Sequence, residues 1–157
     1  MNVQRTIAAD VSTTGIGLHS GATCTVTFRP APPETGIVFV RTDLPGEPSI
    51  PSHPDHLCQR QRRTALAIGE VEVHTCEHFL AAAYGLGIDN LRVELTAVEF
   101  PGLDGSARDF VELLRGALAD LRPQPGSLRP RPAAARAGPA GQGHALGLRR
   151  HSCMKAL

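Results

Sequence analysis

The densest run of reactive side chains in the sequence is His74-Thr75-Cys76-Glu77-His78. Two imidazoles, a thiol and a carboxylate this close together can hold a divalent metal or move a proton. As a pattern the run is H-x-x-E-H, which one class of zinc peptidases carries on a helix. That chemistry needs both imidazoles on one helical face, with the carboxylate beside them to take a proton from metal-bound water. Val71 and Val73 alternate with polar neighbours just before the run, so His74 ends a strand and Thr75 caps the helix that follows. His74 and His78 then share no helical turn, and the peptidase reading fails. A weaker requirement survives, a Glu77–His78 pair in the first turn of a helix, where the positive end of the helix dipole favours ionised Glu77. Such a pair fits hydrolysis by activated water. It equally fits a carboxylate that only complements the dipole beside a surface histidine, and the residues alone leave both readings open.

The elements that must position this pair read as a mixture of strands and helices. Thr23 to Phe28 alternates, with Cys24, Val26 and Phe28 on one face, as a half-buried strand does. The preceding TTGIGLHSG, with its three glycines, predicts a tight connection. Ile37 to Arg41 is a short apolar strand stopped by the turn-rich Thr42-Asp43-Leu44-Pro45-Gly46. Pro45, Pro48, Pro51 and Pro54 predict a loop over residues 45–54, and Thr64 to His74 predicts a hairpin around Gly69-Glu70. A helix follows from about Thr75 to Tyr84, ended by Gly85 or Gly87. Leu91, Val93 and Leu95 alternate with Arg92, Glu94 and Thr96 as a further strand. A second helix begins near Ser106 with Asp109 in its first turn. Its apolar stripe runs through Phe110, Leu113, Leu114, Ala117, Leu118 and Leu121. This order predicts an α+β fold, a two-layer β-sheet arrangement with two helices packed on one face.

A chain of 157 residues, 41% of them hydrophobic, is enough for one domain with a core. No apolar run approaches the roughly 18 residues of a membrane span, and MNVQRTIAAD lacks the apolar stretch of a secretory signal. The four cysteines have no C-x-x-C spacing, which points away from disulfides and cysteine zinc knuckles and towards a reducing, cytoplasmic location. The net charge of +1 hides a split: residues 1–122 hold 10 Arg against 15 acids, whereas residues 123–157 hold five Arg, one Lys and no acid. Those last 35 residues contain five Pro, five Gly and seven Ala, so residues 1–122 are expected to form the domain and residues 123–157 a disordered basic tail. Two accounts of the tail compete, a frameshift or premature stop in a GC-rich gene and an evolved basic arm for phosphates. The tail's charges are scattered and it has no aromatic residue to stack on bases, which favours the first account, and no nucleic-acid partner is expected.

Six segments, QRTI, GIGLHSG, FRPAPPETGI, RTDLPG, HTCEHFLAAAYGLGIDN and EFPGLDGSARDFVELL, follow one another from residue 4 to about 120. Together they resemble the N-terminal domain of the UDP-3-O-acyl-N-acetylglucosamine deacetylases, zinc-dependent amide hydrolases of lipid A biosynthesis. The resemblance implies that Glu77 is the general base on a zinc-bound water and His78 a zinc ligand. It places His19 beside the site and matches Asp104-Gly105-Ser106 to the family's DGS turn; the residues themselves read as a turn plus helix cap, favoured over direct catalysis. Arg62 and Arg63 fall in a strand region lining the acyl passage, with a solvated basic patch as the alternative. His74 stands where the family carries a small polar residue, and so has no catalytic weight.

The same resemblance implies a second domain that packs against the first and supplies the other two ligands, a histidine with an aspartate four residues on, and a histidine acid. This sequence has no Asp or Glu after Asp120, and His144 and His151 match no family motif. A catalytic zinc needs three protein ligands and a water, so the chain alone is expected to be inactive. The face that would meet the second domain is expected to promote self-association. The rival from another class is a non-enzymatic fragment or basic-tailed binding module.

Overall fold

The computed structural model describes residues 3–120, so the expected tail and the boundary drawn after residue 122 lie outside the described residues. In chain order the strands are β1 (Arg5–Ile7), β2 (Val11–Ile16), β3 (Thr23–Pro30), β4 (Ile37–Arg41), β5 (Ser49–Pro51), β6 (Leu57–Cys58), β7 (Ala65–Ile68) and β8 (Val71–His74). Helix α1 (Glu77–Leu86), β9 (Leu91–Leu95), α2 (Arg108–Arg115) and β10 (Leu118–Asp120) complete them. The expected α+β class holds.

The largest sheet has the order β2-β3-β9-β4-β5, antiparallel except where β4 runs parallel to β9. Its inner face is the one alternation predicts: Cys24, Val26 and Phe28 of β3 and Leu91, Val93 and Leu95 of β9 are fully buried. The outer face carries charge, where Arg29 and Arg92 both reach Glu94, at 2.8 and 2.7 Å. A second sheet, β6-β7-β8, contains the expected hairpin, with Ala65 opposite His74 and Ile68 opposite Val71. Arg41 ties the two sheets together, its Nη1 donating to the Glu72 carbonyl at 2.7 Å. Among the described residues no helix is long and apolar enough to cross a membrane.

Both helices bury their apolar residues in one core, α1 through Phe79, Ala82 and Ala83 and α2 through Phe110 and Leu114. All five phenylalanines of the chain meet there. Phe79 stacks on Phe28 at 5.0 Å and on Phe100 at 5.5 Å, and meets Phe39 and Phe110 edge-on at 6.0 and 6.2 Å. Aromatic pairs of this kind contribute about 0.5–1.5 kcal/mol beyond their burial.

Several boundaries differ from expectation for identifiable reasons. Residues 45–54 are not all loop: Ser49–Pro51 pairs with β4 at the sheet edge, where Pro51 needs no ladder hydrogen bond and Ile50 is buried. In TTGIGLHSG the first part extends β2, and only the stretch after Ile16 turns. Helix α1 starts at Glu77 and runs to Leu86, with Gly87 closing it at φ 68°. Helix α2 starts at Arg108 and stops at Arg115. Leu118, expected in its stripe, lies instead in β10, where β1 supplies the hydrogen-bonding partner; Leu121 lies outside the described residues.

Candidate active site

Glu77 is the first residue of α1, held at the helix start by the neighbouring hairpin. The Thr64 N–H donates to Glu77 Oε2 at 3.1 Å, and the Thr75 N–H donates to the Thr64 carbonyl at 2.8 Å. Glu77 and His78 are both half-buried, and among the described residues no hydrogen bond reaches Glu77 Oε1 or the His78 imidazole. Thr75 is not the helix cap. Cys76 takes the capping position without a side-chain bond, because Thr75 adopts φ 57° and turns its hydroxyl to donate to Glu99 Oε1 at 2.8 Å. His74 ends β8 as expected, with Nε2 2.5 Å from Glu72 Oε2, so the two imidazoles of the H-x-x-E-H run do not share a helix. Burial, reinforced by the adjacent Glu77 charge, pushes the Cys76 thiol up to about 12.

Glu99, which the sequence reading passed over, is completely buried. It accepts the His19 N–H at 3.0 Å on Oε1 and 3.2 Å on Oε2, and the Ser20 N–H at 2.7 Å on Oε2. Burial works to raise its pKa, but the bonds from Ser20, Thr75 and His19 outweigh it and hold the carboxyl at about 2. No periodic signal could have found it, since β9 ends at Leu95 and a bend separates that strand from Glu99. His19 thus sits on a loop joined through Glu99 to the turn that precedes Glu77, with its own side chain exposed.

Asp104-Gly105-Ser106 is the expected turn, but Ala107 holds the capping position of α2 without a side-chain bond. Asp104 Oδ1 accepts from the Ser106 N–H at 2.9 Å, and Ser106 Oγ accepts the Arg108 N–H at 3.1 Å. Arg62 and Arg63 are not in a strand: they occupy the turn between β6 and β7, where Arg62 is exposed at φ 57°. That conformation breaks the strand ladder before Ala65.

The His19 loop, the buried Glu99 carboxylate and the turn leading into the Glu77–His78 helix start thus adjoin one another on an α+β scaffold. A model of the UDP-3-O-acyl N-acetylglycosamine deacetylases matches residues 4–128, and the chain belongs to this family. It is 54% identical over 114 residues to the bifunctional enzyme LpxC/FabZ of Chlorobaculum tepidum, covering 73% of this chain and 24% of that protein. It is 51% identical over 114 residues to the UDP-3-O-acyl-N-acetylglucosamine deacetylase of Myxococcus xanthus, covering 73% of this chain and 36% of that protein. The chain thus spans about a quarter and about a third of the length of these curated relatives.

The described residues do not fit a complete zinc site. They bring together no group of three His, Cys, Asp or Glu side chains able to hold a metal. Glu99 is already occupied by its donors.

Proposed function

We propose that this chain contributes the N-terminal part of a hydrolase that removes the N-acetyl group of UDP-3-O-acyl-N-acetylglucosamine in lipid A biosynthesis. The observation that carries the reading is the Glu77–His78 start of α1, inside a family match that covers residues 4–128. Glu77 acts as general base. Thr64 fixes one carboxylate oxygen, and the other faces no described donor. Glu77 takes a proton from the attacking water as its oxygen bonds to the acetyl carbonyl carbon. The C–N bond then breaks, a proton passes to the leaving amine, and acetate and the free amino sugar result.

His78 is this chain's contribution to the zinc site of the family, and the remaining ligands and the acid come from residues outside this sequence. His19 borders the substrate. A cytoplasmic location agrees with Cys24 and Cys76, which are buried as thiols.

The isolated chain is expected neither to bind zinc tightly at 1:1 nor to release acetate, and turnover by this polypeptide alone overturns that expectation. Mixed with the separately expressed remainder of the Myxococcus xanthus relative, it is expected to restore acetate release. Glu77→Gln in that mixture should lower the rate about a hundredfold or more. Equal rates for the two mixtures would remove Glu77 from the role of base.

A further inference from the structure

Glu99 stands where two chain segments that bear proposed site residues meet. On one side, the turn after β2 brings the His19 and Ser20 N–H groups onto the carboxylate. On the other, the Thr75 hydroxyl reaches it from the link between β8 and α1. The fit leaves no slack. A methyl group built on Gly17 would lie 2.5 Å from Glu99 Oε2 and 2.4 Å from Ser20 Oγ, so this position tolerates only glycine while Glu99 stays in place. Thr75 holds a positive φ of 57°, a conformation that costs a β-branched residue energy and persists only where its surroundings over-determine it. Backbone pairing accompanies the clamp: Gly17 bridges Pro101, and His74 bridges Glu99 itself.

We propose that Glu99 is a positioning residue for the site, its buried carboxylate setting the His19 loop and the Thr75–Glu77 turn against each other. The inference rests on the reading that Glu77 and His19 serve the site. Glu99 itself meets neither substrate nor reacting atoms, since its oxygens are taken up by the loop and the turn. Two backbone N–H donors and one hydroxyl require an acceptor with two oxygens in one plane, which a carboxylate supplies and a glutamine amide does not. Rotation or retreat of the carboxylate therefore moves both segments together, which is how a residue remote from the chemistry can misplace a catalytic group.

The test uses the full 157-residue chain, isotopically labelled, with amide hydrogen exchange and backbone shifts as readouts. Glu99→Gln is the direct variant, but it leaves buried donors unpaired and can unfold the domain. Thr75→Val is milder, because it removes only the donor on the turn side. It is expected to speed amide exchange at His19 and Ser20, on the loop side, about tenfold while leaving Leu91 and Val93 unchanged. Thr75→Ser, which keeps the hydroxyl, is expected to restore wild-type exchange. Gly17→Ala, acting from the loop side, is expected to shift the Thr64 and Glu77 amide resonances. The proposal is overturned if Thr75→Val leaves His19 and Ser20 unaffected, if exchange accelerates equally at Leu91 and Val93, or if Thr75→Ser behaves as Thr75→Val. Acetate release is not read in this experiment, so failure of the coupling leaves the role of Glu77 standing, and failure of the hydrolase reading leaves the coupling standing.

Discussion

Glu77 and Glu99 are carboxylates of the same kind on opposite sides of one short turn, and their surroundings treat them differently. Glu99 is fully buried and accepts from two N–H groups and a hydroxyl. Glu77 is half-buried and, among the described residues, accepts only from the Thr64 N–H. A carboxylate saturated with donors cannot exchange protons near neutrality, and it stiffens whatever donates to it. A carboxylate with one oxygen fixed and the other open is oriented without being saturated. The scaffold therefore saturates one glutamate with donors and leaves the other with one described donor, the difference on which the proposed base role of Glu77 rests.

Four substitutions break or sharpen this contrast. Phe79→Ala removes the centre of the aromatic cluster in the first turn of α1 and is expected to cost about 3–5 kcal/mol in chemical denaturation, since Phe79 meets the other four phenylalanines. Glu99→Ala is expected to cost about 2–3 kcal/mol, because three donors lose their acceptor. Its effect must also depend on pH. The folded-state value of Glu99 is depressed from 4.5 to about 2, so its contribution is complete above 4.5 and disappears as pH falls from there towards 2. An acid titration followed by circular dichroism should show wild type losing stability relative to Glu99→Ala across that window. Parallel curves would contradict the assignment.

Ser106→Ala removes the acceptor for the first N–H of α2 and should lower stability by about 1 kcal/mol in the same denaturation assay. Glu77→Gln keeps an oxygen for Thr64 and is expected to change stability by less than about 0.5 kcal/mol. If Glu77→Gln destabilised the chain as much as Glu99→Ala, the proposed division between a holding and a reactive carboxylate would fail.

Local patterning made much of the scaffold legible. The period-two alternation of β3 and β9 follows from side-chain parity and is where the sequence places it, and of the two glycines offered as the stop of α1 the structure takes Gly87. The errors fall where a distant partner decides. Leu118 continues a helical stripe on paper but pairs with Ile7 of β1, and Ser49–Pro51 forms a strand because β4 offers it an edge. The site divides in the same way. Glu77 and His78 announce themselves by chemistry and spacing, whereas Glu99 matters because of Ser20 and Thr75, far away in sequence. Thr75 does not cap α1 for the same reason, since its hydroxyl finds its acceptor in Glu99.

The five-ring cluster also has a consequence in time. Phe79, two positions after Glu77, completes its contacts only when Phe28 and Phe39 from the sheet and Phe100 and Phe110 from later in the chain have arrived. Contacts between residues so distant in sequence form late, because the entropy of closing the intervening loops must be met first. A chain still emerging from the ribosome, with Phe110 unsynthesised, therefore has the residues of the Glu-His pair without its geometry. The site comes into being together with the core, near the end of folding.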